Sequence, residues 1–471
     1  MKENRHKLKI LTVVLMGPLV ATIDASIVNV ALPDMASKLS VGIDTIQWVV
    51  TSYLIVISAL ILIFGRIGDL IGKCKVFHRG FMIFSFGSLL CALSTTIQFL
   101  IISRIIQAIG AAMIMSSNQG IIAETFLPSE RGKALGLSGS TVAIGTMLGP
   151  PIGGFLVQFF NWESIFIINI PIGIIAFIAG IKILPKDNKN GHLKDLDLAG
   201  SFLFMISIIC IFWALSSGEK LGWSNIYIIS SFIIAVLCII VFYLVEKSLK
   251  QPLMEFSMFQ NKLFNVSLLC AFISFTVIFC HNIIYPFYLQ YLIKISPAKS
   301  GLFMVVFPIF AGIFAPLSGY ISDKIGGEIP TFLGLSSTVI GLVIMSSLNS
   351  SSTYFHIILG VAILGIGNGL FQSPNNSLIM SLSSKDKLGI AGSINALVRN
   401  VGMVFGTAFS VVLLYNRMSS KIGYKVTNFI SSRPDVFIYA MKFVYLTAAA
   451  FCILAIILSF SRLIFTKRQT I

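Results

Sequence analysis

The chain has 471 residues, 56% of them hydrophobic and only 11% charged, against roughly 25% charged in an ordinary soluble domain. That balance excludes a soluble enzyme or binding domain and defines an integral membrane protein. The net charge of +16 raises nucleic acid as a partner, and the placement of the charges removes it.

Fourteen apolar stretches, each able to cross a hydrocarbon layer of about 30 Å as a helix, run 8–32, 44–65, 76–96, 98–123, 134–158, 163–184, 198–216, 225–245, 263–293, 297–320, 330–348, 353–380, 389–415 and 438–462. Short breaks such as LPSERGK (127–133) leave no room for a soluble domain. With the N-terminus inside, the cytoplasmic segments hold 23 of the 34 Lys and Arg, among them Lys2, Arg5, Lys73, Lys186, Lys189 and Lys467. This is the positive-inside pattern, and it puts both termini in the cytoplasm. The basic, then apolar N-terminus is too long in its apolar part for a signal peptide and reads as the first membrane helix. Six of the seven cysteines fall inside predicted helices and Cys74 in a cytoplasmic loop, so no disulfide or metal framework is implied.

In chain order, IDASIVNVALP (23–33) in the first segment carries Asp24. GRIGDLIGK (65–73) follows the second segment, and its Gly65, Asp69 and Gly72 recur as Gly319, Asp323 and Gly326 in GYISDKIGG (319–327), 254 residues on. The fourth segment contains RIIQAIGAA (104–112), and its Gly110, Ser116 and Asn118 recur as Gly367, Ser373 and Asn375. GTMLG (145–149) in the fifth recurs as GMVFG (402–406), again at an offset of 257. A near-constant shift over three segments means two six-helix halves of the same polarity, the arrangement of transporters with a substrate site near mid-membrane. The domain organisation expected is 1–184 for the first half, 185–262 for an inserted helix pair with its linkers, and 263–471 for the second half. GIGNG (365–369) lies inside a membrane helix, which makes it helix packing rather than a nucleotide loop.

These segments resemble the major facilitator superfamily, and within it the fourteen-helix drug:proton antiporters of multidrug efflux type. GRIGDLIGKCK is similar to the signature between helices 2 and 3, RIIQAIGAA to that of helix 4, GTMLGPPIGG (145–154) to the antiporter signature of helix 5, and IDASIVNVALP to that of helix 1. The resemblance implies an all-α membrane protein with the major facilitator fold: two six-helix bundles plus two inserted helices, fourteen transmembrane helices in all. Gly65, Asp69, Gly72, Lys73 and Glu124 then form a conformational latch, with Lys73 pairing both Asp69 and Glu124. The competing reading is a basic loop that only sets topology. Leu70 and Cys74 stand where the family often has basic residues, which weakens the latch. Gly145, Gly149, Pro150, Gly153 and Gly154 carry the antiporter motif: the glycines let backbones approach and the prolines remove amide donors. Helix packing accounts for the same residues. Glu163 departs from the family pattern and reads as a solvated loop charge.

Of the 18 acids, Asp24 alone lies deep in the hydrocarbon. A carboxylate there costs about 2.5 to 3.5 kcal/mol on insertion scales, so it is expected to face a cavity and handle a proton or ion. Arg104 and Arg399 are also intramembrane. Counting 1.5 Å per residue, Asp24 lies about 12 Å and Arg104 about 9 Å from the outer helix ends, a shared level that favours a proton-sensitive pair over a purely structural one. Arg399 either pairs with a carbonyl or meets an anionic part of the substrate. Cavity candidates are Asn29, Asn118, His281, Gln290 and Asn375, with Gln119, Asn282, Gln372 and Asn395 as weaker ones.

The expected activity is proton-coupled export of hydrophobic, cationic or amphiphilic small molecules by alternating access, with antibiotic resistance as its consequence. The alternatives are an exporter or facilitator of a physiological solute (metabolite, peptide or lipid) with drug efflux incidental, and, more remotely, a membrane receptor or scaffold without transport. No nucleophile and base share one membrane level, which argues against an enzyme. No cofactor is called for beyond protons as the coupling ion. The expected partners are a small-molecule substrate and the lipid bilayer, with the chain a monomer in the cell membrane. Heavy Lys, Ile and Asn usage points to an AT-rich bacterial genome.

Overall fold

The computed structural model describes residues 2–126, 128–187, 196–248, 256–382, 388–426, 430 and 433–469. Among them there is no strand. The helices are α1 (Lys2–Lys38), α2 (Ile43–Ile46), α3 (Trp48–Ile71), α4 (Lys73–Ala92), α5 (Ile97–Thr125), α6 (Pro128–Phe159), α7 (Ser164–Ile167), α8 (Asn169–Ile183), α9 (Leu198–Leu221), α10 (Ile226–Ser248), α11 (Lys262–Phe287), α12 (Pro297–Ile325), α13 (Glu328–Ser346), α14 (Tyr354–Ser381), α15 (Leu388–Ile422) and α16 (Pro434–Gln469). Twelve described spans are long and apolar enough to cross a membrane. The third and fifth of the fourteen expected segments correspond to α4 and α6, which are not among the twelve. The helix α4 falls short of that composition because it opens on Lys73, Lys75, His78 and Arg79, and α6 has an apolar stretch over Ile144–Phe159.

In lipid every backbone amide and carbonyl must be satisfied inside its own helix, and the sequence marks the helix starts with side-chain acceptors. Thr96, Asp197, Asn261, Ser296 and Thr353 each accept from an amide of the first turn of the helix they precede. Between α3 and α4 only Gly72 is non-helical, at φ +115°, a conformation that costs a side chain and suits glycine. Cys74, expected in a loop, therefore sits in the first turn of α4. Pro150 and Pro151 are both accommodated within an uninterrupted α6.

The chain divides into two compact units, residues 1–31 with 48–255, and residues 32–47 with 256–471. The inserted helices α9 and α10 belong to the first unit, where they pack on each other and α9 packs on α3. Most of α10 stays uncovered, with Ile233, Val236, Leu237 and Ile240 among its exposed residues, an apolar face fitted to lipid. Residues 32–47 join the second unit through bonds from Ile43 N to Tyr415 Oη (3.1 Å) and from Tyr291 Oη to the Pro33 carbonyl (3.0 Å).

The repeat read from the sequence reappears as contacts. Gly110 meets the carbonyl of Gly80 and the amide of Phe84; 257 and 254 residues on, Gly367 meets the carbonyl of Gly334 and the amide of Thr338. Asn118 Nδ2 donates to the Val14 carbonyl (2.8 Å) in the first unit, and Asn375 Nδ2 to the Ser267 carbonyl (3.1 Å) in the second. The antiporter-motif glycines follow the same rule. A Cβ at Gly145 or Gly149 would run into Thr22 Oγ1 or Ser26 Oγ of α1, and one at Gly153 into Ile27. Their counterparts Gly402 and Gly406 are pressed onto Phe272 and Thr276 of α11. Close backbone approach lets Ser26 Oγ donate to the Gly145 carbonyl (3.3 Å) and Thr276 Oγ1 to the Gly402 carbonyl (3.2 Å).

Candidate functional site

Asp24 is fully buried in the first unit, on α1, and both its oxygens are taken. Arg104 Nη1 of α5 donates to Oδ2 at 2.7 Å. Gln107 Nε2 (2.9 Å) and Asn169 Nδ2 of α8 (2.7 Å) donate to Oδ1. Arg104 is itself 1% exposed, gives its Nε to the Val49 carbonyl (3.0 Å) and an Nη1 hydrogen to Gln107 Oε1, and lies 4.0 Å over the Tyr53 ring. Gln107 also donates to Ser88 Oγ at 2.8 Å. The shared depth of Asp24 and Arg104 thus becomes a direct ion pair.

Where a cavity-facing Asp24 is expected from the sequence, the structure buries it: its charge is balanced by Arg104, and both oxygens accept hydrogen bonds, Oδ2 from that guanidinium and Oδ1 from the amides of Gln107 and Asn169. A buried charge is tolerable only when paired and hydrogen-bonded, and around Asp24 of α1 the network draws on four further helices, α3, α4, α5 and α8. Gln107 and Asn169 went unnoticed in the sequence. Gln107 lies one helical turn from Arg104, a spacing that puts both on one face; Asn169 is brought in only by the packing of α8.

The repeat shows that this cluster is not demanded by the fold. The contacts of Asn118 and Asn375 relate α1 to α11 at an offset of 253, so Asp24 corresponds to Val277; Arg104 and Gln107 correspond, at 257, to Val361 and Leu364. All three counterparts are buried and apolar.

At the α3–α4 turn, Lys73 Nζ lies 3.0 Å from Asp69 and 3.1 Å from Glu124, bringing together the three charged residues of the expected latch within one unit. Burial pulls the Lys73 ammonium down, and the two carboxylates more than offset it, leaving it above its ordinary value. Next to it, Asp187 accepts from the amides of Cys74 (3.2 Å) and Lys75 (2.8 Å), capping α4 from the segment after α8. Burial, with Asp187 beside it, pushes the Cys74 thiol up to about 12. A Cβ at Gly72 would strike that Asp187 carboxylate.

Three cavity candidates are packing groups instead. Asn118 and Asn375 are buried and spend their amides on the carbonyls of α1 and α11, and His281 Nδ1 is bonded to Tyr445 Oη at 3.1 Å beneath the ring of Tyr285. Asn29 is buried as well, while Gln290 is half-buried and reaches Ser300 Oγ at 3.4 Å. The Gln119 side chain and Lys189 lie outside the described residues. Arg399 of α15 is half-buried, with its guanidinium 5.9 Å above the Phe275 ring. A buried arginine that the sequence did not single out, Arg462, donates to Ser267 Oγ (2.9 Å), Asn375 Oδ1 (3.3 Å) and Thr331 Oγ1 in the second unit.

Two repeat-related helical halves with a charged cluster held inside the membrane define a multi-pass membrane transporter, not an enzyme. The sequence profile of the Major Facilitator Superfamily matches residues 14–197, 198–407 and 267–469, and the chain belongs to that family. It is 35% identical to the riboflavin transporter RibZ of Clostridioides difficile, over 99% of both chains. It is 27% identical to the multidrug transporter protein MdtP of Bacillus subtilis, over 92% of this chain and 80% of that one. Among solved structures, a bacterial homolog of the human lysosomal transporter Spinster superposes with a TM-score of 0.64 at 14% identity, over 97% of this chain and 96% of that one, a likeness of fold.

Proposed function

We propose that the protein is a proton-coupled antiporter that exports hydrophobic, amphiphilic small molecules by alternating access, with both termini in the cytoplasm. The observation that carries the reading is the buried Asp24–Arg104 pair with its Gln107 and Asn169 donors, present in one half and replaced by Val277, Val361 and Leu364 in the other. An ionisable pair that packing does not require is kept for its chemistry. Protonation of Asp24 removes the charge that Arg104 and the two amides hold, which loosens α1 from α5 and α8; deprotonation restores the clasp. A carboxylate already neutralised by Arg104 is a poor anchor for a cationic substrate, so amphiphilic compounds fit better than simple cations. The lysine-centred turn at Asp69, Lys73 and Glu124 serves as the latch of the first half.

A second reading is export or facilitation of a physiological solute. The 35% identity to a protein named as a riboflavin transporter, over 99% of both chains, favours it over the lower identity to a multidrug transporter. One experiment addresses both. Purified protein in proteoliposomes is given an imposed pH gradient, and counterflow of protons is recorded for a compound panel that includes riboflavin. Substrate-induced proton movement that Asp24→Asn abolishes supports antiport. Full substrate movement without proton flux in the wild type refutes it, and movement of riboflavin alone selects the second reading.

A further inference from the structure

Three guanidinium groups of the second unit lie buried or half-buried in its membrane helices: Arg399, Arg417, which sits over the Phe443 ring toward the C-terminal end of α15, and Arg462. Arg462 gives both terminal nitrogens to polar side chains, Ser267, Asn375, Thr331 and Ser459, although its Nε has no acceptor. Arg399 has no hydrogen bond and no ion pair among the described residues, and its Nε is buried without an acceptor. One residue on, Asn400 is 3% exposed and its Nδ2 is likewise a buried donor without an acceptor. One turn before, Asn395 donates to Asn376 Oδ1 at 2.9 Å, and Asn376 is exposed although α14 is a membrane helix. The Phe275 ring lies under the guanidinium.

An unpaired guanidinium is not stable against lipid and is kept inside a membrane where it meets water or a ligand. Packing does not ask for it either: at the repeat offset of 257 the first half carries Val142 in the same place on α6. The Nε of Arg399 and the Nδ2 of Asn400 are left without acceptors, and the Phe275 ring near the guanidinium provides an apolar floor for a flat body.

We propose that Arg399, with Asn400 beside it and Phe275 beneath, is a substrate subsite that takes the anionic or acceptor-rich edge, a carboxylate or its equivalent, of a planar aromatic compound. A carboxylate accepts two parallel hydrogen bonds from one guanidinium, a geometry no ammonium group reproduces. This rests on the reading of the chain as a transporter of amphiphilic small molecules and specifies their class: acidic or zwitterionic aromatics rather than lipophilic cations.

The test uses three probes with one ring system, anthracene-9-carboxylate, anthracene-9-methanol and 9-(aminomethyl)anthracene, bound to the full chain in lipid nanodiscs and then assayed for movement in proteoliposomes. The wild type is expected to bind the carboxylate at least about tenfold more tightly than the ammonium. Arg399→Val, which installs the residue of the first half, is expected to lose about tenfold or more in carboxylate affinity and to hold the ammonium within about twofold, with an unchanged unfolding midpoint. Arg399→Lys, keeping the charge without the fork, falls between them. Wild-type affinity of Arg399→Val for the carboxylate, equal loss of all three probes, or no carboxylate preference in the wild type overturns the subsite. Arg399-dependent binding without movement of any probe supports the subsite and counts against transport; movement without Arg399 dependence does the reverse.

Discussion

Arg104 Nη1 stands 2.7 Å from Asp24 Oδ2 with neither side chain more than 1% exposed, and the two residues that occupy the repeat-related positions, Val361 and Val277, are apolar. One half of the molecule therefore serves as the control for the other. Breaking the pair with Asp24→Asn or Arg104→Gln leaves a buried group without its partner and is expected to cost about 3 to 5 kcal/mol, read as a lowered unfolding temperature. Replacing the whole cluster with the apolar residues of the second half, Asp24→Val, Arg104→Val and Gln107→Leu together with Asn169→Leu, is expected to be neutral or stabilising by roughly 1 to 4 kcal/mol. The same variant is expected to be inactive in efflux driven by a pH gradient. Wild-type proton-driven efflux from it would reduce the cluster to packing.

The α1–α6 contact makes a second prediction. Gly149→Ala drives a methyl group into Ser26 Oγ and the α1 backbone, and overpacking of this kind is expected to cost about 1 to 3 kcal/mol and to slow transport. Gly312→Ala in α12, where nothing stands within 4 Å, is expected to gain up to about 1 kcal/mol from helix propensity. Thermal unfolding of the two variants in one detergent measures the difference.

Cys74 supplies a probe of the α3–α4 turn. Its thiol is 5% exposed and held up at about 12, so in a background lacking the other cysteines it is expected to resist maleimide at pH 7.5. Asp187→Ala removes both the cap of α4 and a negative neighbour of the thiol. It should speed labelling and cost roughly 0.5 to 2 kcal/mol in stability, the range for loss of a helix cap. Unchanged labelling in Asp187→Ala would show that the capping contact does not form.

Lys73 gives a pH prediction with a definite sign. Its ammonium is held above its ordinary value, so the contribution of its pairs to stability is complete below that value and is lost only as the solution is made more alkaline still. Across pH 5 to 9 the pairs persist, so Lys73→Gln is expected to leave the shape of the transport pH profile unchanged. Its two partners are nearly half exposed, at 49% and 45%, so the stability cost is small, up to about 1 kcal/mol. A shifted pH optimum in Lys73→Gln would assign the proton response to this turn rather than to Asp24.

Membrane class, helix series, internal repeat and family are legible in the chain because each is written in local composition or in fixed spacings. Apolar length makes a span, Gly110 and Gly367 recur at one offset, and Asp24 and Arg104 fall at one depth when residues are counted along straight helices. Tertiary structure alone decided how the charges are spent. Asn169 reaches Asp24 across 145 residues of chain, Asp187 caps α4 across more than 110, and Asn118, Asn375 and His281 turn inward to close hydrogen bonds rather than to line a cavity. The sequence shows that Arg104, Arg399 and Arg462 are arginines in or near membrane helices. Only the packing shows that Arg104 is paired with a carboxylate, that Arg462 is held by hydroxyls and an amide, and that the Nε of Arg399 is buried without an acceptor, since a hydrogen bond between helices depends on which faces meet.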